Sequence, residues 1–264
     1  MPELPEVEIF VRKLQPIVGA VIRRAEVLDD RLALDASKIE GATITSAERR
    51  GKHIVIHLGE RGDLIVHLRM SGRLRLHRGE DEVKHTRLVL HLDSGNTVYF
   101  VNPRRLGTAI HCAAGFEADL GLEPLSPSFT VAALGDLTSK SHSPIKLFLL
   151  DQRKIAGVGN IYASEVLWRS RISPDRESTS LTSDEIARLH GDIVSVLNDA
   201  IEGQGTTIGN SVSDYHPSAG EQGEFQNRLS VYGREDEPCE RCGTAIVRMK
   251  QGGRSTYYCQ ECQP

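Results

Sequence analysis

The sequence predicts an α+β chain of two domains: an N-terminal antiparallel β-sandwich or barrel behind an opening helix, then a helical domain that ends in a four-cysteine β-hairpin. Three observations carry that expectation. The first hundred residues alternate apolar and polar in strand-length runs, the pattern changes to a helical period after about Phe116, and four of the five cysteines fall in two Cys-x2-Cys pairs near the end. A length of 264 residues exceeds one typical domain and suits two, each large enough to bury a core.

The elements follow in order. Leu4, Val7, Val11 and Leu14 share one face of an opening helix, with Pro5 in its first turn and Glu3, Glu6 and Glu8 toward the positive end of the dipole. Strands are predicted over Ala20–Leu28, Ala42–Ala47, His53–Leu58, Leu64–Met70, Arg73–His77, Arg87–Leu92 and Thr97–Val101, with turns at Gly41, Gly59–Gly62, Ser71-Gly72 and Ser94-Gly95. Met70, in the tight turn, is expected to be more exposed than a methionine usually is. Helices are predicted over Val131–Lys140, Pro144–Asp151, Asn160–Arg171 and Ser183–Glu202. For the last, Thr182 with Glu185 forms a capping box, Leu181 with Ile186 a hydrophobic staple, and Gly203 a stop. The expected boundaries are a sandwich at 1–115, a Gly/Pro/Ser-rich linker at 116–128, a helical domain at 129–234 and the cysteine hairpin at 235–264. Thr206–Gln226 is polar and aperiodic, a long loop of the kind that often carries function.

A formal net charge of −4 gives no general support to nucleic-acid binding, so any such function must rest on local placement of Arg and Lys. No apolar run is long enough to cross a bilayer, and the start of the chain is acidic and helical, so a soluble, cytoplasmic protein is expected. Cys239-x2-Cys242-x16-Cys259-x2-Cys262 has zinc-ribbon spacing, in which each pair turns two thiolates toward one ion. Two disulfides are the alternative, disfavoured by the expected reducing compartment. Cys112 is left over and suits a small buried apolar position.

Four further stretches carry candidate chemistry. If Met1 is trimmed, Pro2 becomes a secondary amine beside the carboxylate of Glu3, and an amine with a pKa near 8 can form a Schiff base near neutrality. The same residues also make an ordinary helix start. Gly157-Val158-Gly159-Asn160 sets a glycine turn before a helix, where backbone N–H groups and Asn160 suit a phosphate oxygen, with Arg153 and Lys154 adding charge. An ordinary capped helix is the plainer alternative. Asn102-Pro103-Arg104-Arg105-Leu106-Gly107 offers two guanidinium groups and an apolar wedge on one loop. In the hairpin, Arg248, Lys250 and Arg254 lie between the cysteine pairs, on a ribbon able to enter a groove. Arg50, Lys52 and His53 suit a solvated strand edge, and His67 and His85 suit surface or internally satisfied histidines, unless position gives them a role.

Taken together, Pro2–Glu8, His67–Gly72, Asn102–Arg105, Gly157–Glu165 and the terminal four-cysteine hairpin resemble, in the same order and over essentially the whole chain, the bacterial formamidopyrimidine-DNA glycosylases. The resemblance implies an N-terminal β-sandwich with flanking helices, a helix–two-turn–helix element in the helical domain and one structural Zn2+ on the four cysteines. It also implies damaged double-stranded DNA as partner, a monomer, and excision of 8-oxoguanine and formamidopyrimidines followed by β,δ-elimination. Carried onto this sequence, Pro2 is the nucleophile, Glu3 the acid/base and Glu6 a supporting acid, while Lys52 joins the catalytic group. Lys52, His67, Asn160 and Arg254, with His85, match phosphate-gripping positions, Arg104, Arg105 and Lys154 are further DNA-contact candidates, and Met70, Arg104 and Leu106 match the residues that fill the hole left by a flipped base. Two departures stand out. Leu106 replaces a common Phe, and Asp214–Phe225 lacks the basic residue of the usual lesion-capping pattern, which bears on lesion choice. Within the superfamily, an endonuclease VIII-like preference for oxidised pyrimidines is the alternative, against which Leu4 argues; a non-catalytic DNA-damage binding protein is the alternative outside catalysis.

Overall fold

Leu4–Leu14 forms helix α1, started by Pro5 in its first turn and by a reciprocal capping box between Glu3 and Glu6. The computed structural model describes residues 1–79, 83–116, 119–207 and 223–264. The chain forms two compact units, Met1–Ala118 with Gly203–Gln226 and Asp119–Glu202 with Asn227–Pro264.

In the first unit, eight strands follow α1: β1 (Ile22–Val27), β2 (Ser46–Arg50), β3 (His53–His57), β4 (Asp63–His67), β5 (Arg73–Arg78), β6 (Thr86–Leu92), β7 (Asn96–Val101) and β8 (Thr108–Cys112). They make two antiparallel four-stranded sheets, ordered β1-β6-β7-β5 and β2-β3-β4-β8. Ile54, Ile56, Leu64 and Val66 of one sheet and Leu88, Leu90, Leu92, Val98 and Phe100 of the other meet Val7, Phe10, Val11 and Leu14 of α1 in a single core. Each such side chain, fully buried, contributes about 1.5–3 kcal/mol. Val55 and Ile65 are buried on the opposite face as well, which is why these two strands read as continuous apolar runs. Glu8 pairs with the nearly buried Arg49 at 3.1 Å, fixing α1 against β2.

Two elements depart from the sequence expectation. The strand expected over Ala42–Ala47 lies instead at Ser46–Arg50, because Ala42 and Ile44 bond back to the 19–22 segment: Ile44 N–H donates to Ala20 O and Ile22 N–H to Ala42 O. Strand β8 was not predicted; its short, half-polar Thr-Ala-Ile-His-Cys has too little alternation to register, and pairing with β4 creates it.

The second unit contains α2 (Val131–Thr138), α3 (Ile145–Leu150), α4 (Asn160–Ser170) and α5 (Ser183–Glu202), then the hairpin of β9 (Val247–Gln251) and β10 (Arg254–Tyr258). The α5 capping box forms as expected: Thr182 N–H donates to Glu185 Oε2 at 2.8 Å and Glu185 N–H to Thr182 Oγ1 at 3.3 Å. Arg171 ends α4 in the left-handed region, and a turn closed by Arg176 N–H on Ser173 O, then a 3-10 turn at Ser178–Ser180, lead into α5. Helices α4 and α5 pack on each other across these two turns. Gly203–Gln226, expected with the helical domain, belongs to the first unit. Thr206 N–H there donates to buried Glu6, a pairing across two hundred residues that no local pattern announces. Among the described residues, no helix is long and apolar enough to cross a membrane.

Candidate functional site

Pro2 is buried at the mouth of α1, and the carboxylates of Glu3 and Glu6 behind it are 3 % and 1 % exposed. Each is held by the other's backbone: Glu3 accepts from Glu6 N–H, and Glu6 Oε2 accepts from Glu3 N–H at 2.8 Å. The second oxygen of Glu6 accepts from Thr206 N–H at 2.9 Å. Gly205, at φ +75°, allows that approach, since a Cβ there would sit 2.9 Å from the Glu6 oxygen. Glu6 therefore joins the start of the chain to the base of the 206–226 segment. Most of the expected lesion-capping pattern, residues 214–222, lies outside the described residues.

Lys52, 6 % exposed, begins the turn into β3, and its neighbour His53 pairs across the sheet with His67 at the end of β4. The two imidazoles meet edge to face with centroids 4.6 Å apart. His67 Nδ1 accepts the N–H of Arg69 at 3.0 Å, so in the neutral ring the proton resides on Nε2, which becomes a donor. Burial, with His53, Arg69 and Lys52 adding to it, holds the His67 pKa down to about 3, so this donor is uncharged at neutral pH.

The turn after β4 closes with Gly72 N–H on Leu68 O at 2.9 Å and leaves Met70 41 % exposed, as its position in the sequence suggested. Opposite, His67 pairs with Thr108, the first residue of β8, and Gly107 packs so close that a Cβ would meet His67 O at 3.0 Å and the Phe100 ring at 2.7 Å. That contact brings the 102–107 loop beside the Met70 turn, with Arg104 exposed and Leu106 52 % exposed. Arg105 behaves differently from its neighbours. Its guanidinium grips the buried carboxylate of Asp29 and reaches Asp30 at 2.8 Å, which holds the Asp29 carboxyl well below the usual range. Arg105 thus braces the loop from inside, where the sequence pattern suggested a DNA contact. His85, at φ +66°, contributes its backbone: His85 O accepts from Asn102 N–H at 2.9 Å.

In the second unit, Gly157 and Gly159 form the expected turn, stiffened by Gln152, whose Oε1 accepts from Gly157 N–H and whose Nε2 donates to Val158 O. Asn160 opens α4; its Nδ2 donates to Ser255 O at 2.9 Å, and its buried Oδ1 has no hydrogen-bond partner among the described residues. Arg254 is exposed one residue away on β10, so Asn160 and Arg254 are brought together. Lys154 reaches Ser141 Oγ at 2.8 Å and lies over the Phe148 ring. Sequence reasoning missed two anchors. Lys146, fully buried, donates to Ser255 O at 3.1 Å and Thr256 Oγ1 at 2.7 Å. Glu165 accepts the N–H groups of Ser230, Val231 and Tyr232 at 2.8–3.0 Å, and burial pushes its pKa up. Nothing in their local sequence separates them from surface residues of a helix.

The sulfurs of Cys239, Cys242, Cys259 and Cys262 all lie within 4.8 Å of one another. Separations of 3.9 Å for Cys239–Cys262 and 3.4 Å for Cys242–Cys259 are far too long for disulfides and close to the roughly 3.8 Å edge of a tetrahedron with Zn–S near 2.3 Å. Knuckle turns close each pair, Gly243 N–H on Cys239 O and Gln263 N–H on Cys259 O. The donor set fits one zinc ion, whose part is to fold the hairpin.

The same features recur in known proteins. Residues 1–109 match the formamidopyrimidine-DNA glycosylase N-terminal domain, 120–211 the H2TH domain of that glycosylase, and 236–264 the zinc finger found in FPG and IleRS. The formamidopyrimidine-DNA glycosylase of Symbiobacterium thermophilum is 42% identical over 278 aligned positions, covering 100% of this chain and 90% of its own. That of Lactiplantibacillus plantarum is 41% identical, covering 98% of each. The crystal structure of the MutM (Fpg) protein from Thermus thermophilus superposes with a TM-score of 0.88 at 39% identity, covering 99% of this chain and 98% of that one. The complex of Lactococcus lactis Fpg with DNA containing an abasic site gives 0.86 at 33% identity, covering 99% of both. Domain order, strand pairing, the four-cysteine centre and full-length similarity agree, and the chain belongs to the formamidopyrimidine-DNA glycosylase family.

Proposed function

We propose that this chain excises oxidised purines from damaged double-stranded DNA and then cuts the strand at the emptied site, using the nitrogen of Pro2 as its nucleophile. The carrying observation is the buried start of α1, where Pro2 precedes two carboxylates fixed by reciprocal capping. Once Met1 is removed, the Pro2 nitrogen is a secondary amine with a free electron pair. It forms a bond to the sugar C1′ and gives up its N–H proton; the base leaves with the electrons of the glycosidic bond and takes up a proton. Glu3 gives a proton to the ring oxygen as the C1′–O4′ bond breaks, leaving an iminium between Pro2 and C1′. Loss of a C2′ proton then expels the 3′ phosphate (β), and a second elimination expels the 5′ phosphate (δ).

Lys52, His67, Asn160 and Arg254 hold the phosphates around the flipped nucleotide, offsetting part of the few kcal/mol that flipping costs. His67 does so with its neutral Nε2–H, and Asn160 with the second proton of Nδ2, whose first goes to Ser255 O. Met70, Arg104 and Leu106 enter the vacated stack, and Leu106 lacks the aromatic face that favours stacking on a base. Arg105 supports these residues through Asp29. His85 and Lys154 complete the DNA contacts. The organisation we propose is a catalytic sandwich at 1–115, a linker at 116–128, a helical domain at 129–234, of which Gly203–Gln226 groups with the sandwich, and a zinc finger at 235–264, acting as a monomer in the cytoplasm. Borohydride reduction on an 8-oxoguanine duplex tests this directly. A trapped protein–DNA adduct is expected, strongly reduced by Pro2→Gly, and an undiminished adduct in that variant overturns it.

A further inference from the structure

Trp168, the only tryptophan of the chain, lies half-buried in the last turn of α4 with Tyr257 and Cys262 around the four-cysteine cluster. Its indole Nε1–H points at Cys239 Sγ, 3.5 Å away. The guanidinium of Arg241 lies over the indole ring, 3.7 Å from a ring centroid. Arg241 comes from the same knuckle, between Cys239 and Cys242, and also donates to Trp168 O at 2.6 Å and Arg169 O at 3.2 Å. These are carbonyls at the end of a helix, where a cation is favoured.

We propose that Trp168 and Arg241 form a clamp that retains the zinc ion. The indole N–H hydrogen-bonds the Cys239 thiolate, and Arg241 holds the indole in place while tying the knuckle to the end of α4. The physical basis is geometric: a ligand that accepts a hydrogen bond is held with its lone pairs oriented, and a ligand so held is slower to swing away from the ion. A phenyl ring at position 168 fills much the same space and stacks under Arg241, but has no N–H to give. The clamp also has a mechanical consequence. The hairpin holds α4 at both ends, at Asn160 through Ser255 O and at Trp168 through Cys239 and Arg241, so the metal that shapes the hairpin also steadies the helix that presents Asn160.

The inference rests on the zinc assignment and is independent of the repair chemistry. The test is release of zinc from the intact chain to a chromogenic chelator, 4-(2-pyridylazo)resorcinol, after the zinc content is measured. Trp168→Phe is expected to lose zinc about tenfold faster or more, the usual size of an effect through a ligand's hydrogen-bond partner. Arg241→Ala is expected to give a smaller acceleration. Because the chain has one tryptophan, its emission reports this contact in the wild-type protein with no substitution. A shift in wavelength or intensity is expected as zinc is withdrawn and restored. Release from Trp168→Phe at the wild-type rate, or tryptophan emission indifferent to zinc, overturns the clamp while leaving the zinc assignment standing. Wild-type protein that carries no zinc overturns both.

Discussion

The start of α1 and the cysteine hairpin are the two regions to which the proposed function gives chemistry and grip, and they are held by opposite means. Around Pro2 the order comes from neutral backbone donors on two buried carboxylates: Glu3 and Glu6 cap each other, and Glu6 reaches Thr206. Around Asn160 and Arg254 it comes from four converging thiolates and a fully buried ammonium, Lys146, on the Ser255 carbonyl. The first arrangement is held by hydrogen bonds alone, whereas the second sets a cation and an amide on a platform that an ion helps to fold. If the first carries the chemistry and the second the grip, as proposed, each can be broken alone.

The largest effect is expected at Glu3. Glu3→Gln removes a proton donor while keeping a side chain of similar shape, and excision measured in single turnover should fall by roughly 10²–10⁴ with DNA affinity little changed. An equal loss in both would merge the two regions into one. Withdrawal of zinc should do the reverse: chelation, or Cys259→Ser, should weaken binding of lesion duplex by about tenfold or more, with the β-sheet circular dichroism of the sandwich retained. Full binding by Cys259→Ser would remove the hairpin from the interface.

How much of this contrast is legible in the chain follows from the range of the interactions. The zinc hairpin, the opening octapeptide and α5 are local: two Cys-x2-Cys pairs, a Pro-rich helix start, and Thr182 with Glu185 three residues apart. The braces are not. Glu6 with Thr206, Arg105 with Asp29 and Lys146 with Ser255 join positions whose own neighbourhoods read as ordinary surface, and only the folded chain reveals the pairing. The Arg pair at 104–105 illustrates the limit: spacing marks both as candidates for DNA, but geometry turns one inward to Asp29 and leaves the other exposed. Strand β8 was hidden for the same reason, since its partner β4 lies some forty residues earlier in the chain.

Glu6→Ala sharpens the comparison from the stability side. It leaves the buried N–H groups of Glu3 and Thr206 without the oxygens they now meet, at about 1–3 kcal/mol each, and denaturant unfolding should show a loss of roughly 2–6 kcal/mol. A change below about 0.5 kcal/mol would show that the brace is idle. At neutral pH the smallest effect concerns His67, which shows itself only in acid. A histidine whose pKa is lowered on folding binds its proton more readily unfolded, so stability falls as pH drops below about 6.5 and continues falling toward about 3, by at most about 1.4 kcal/mol per pH unit. Its ring resonances should show no titration between pH 5 and 8, and His67→Gln should be less acid-sensitive than wild type. A midpoint near 6.5 would make His67 a cationic ligand instead.

The division of labour stands or falls on where DNA becomes attached. Tandem mass spectrometry of the borohydride-trapped adduct, after proteolysis, locates the linkage on the chain. The expected result is a peptide that begins at Pro2, lacks Met1 and carries the sugar remnant on its terminal nitrogen; a remnant on Lys52 or any other lysine, with the Pro2 nitrogen unmodified, would contradict it.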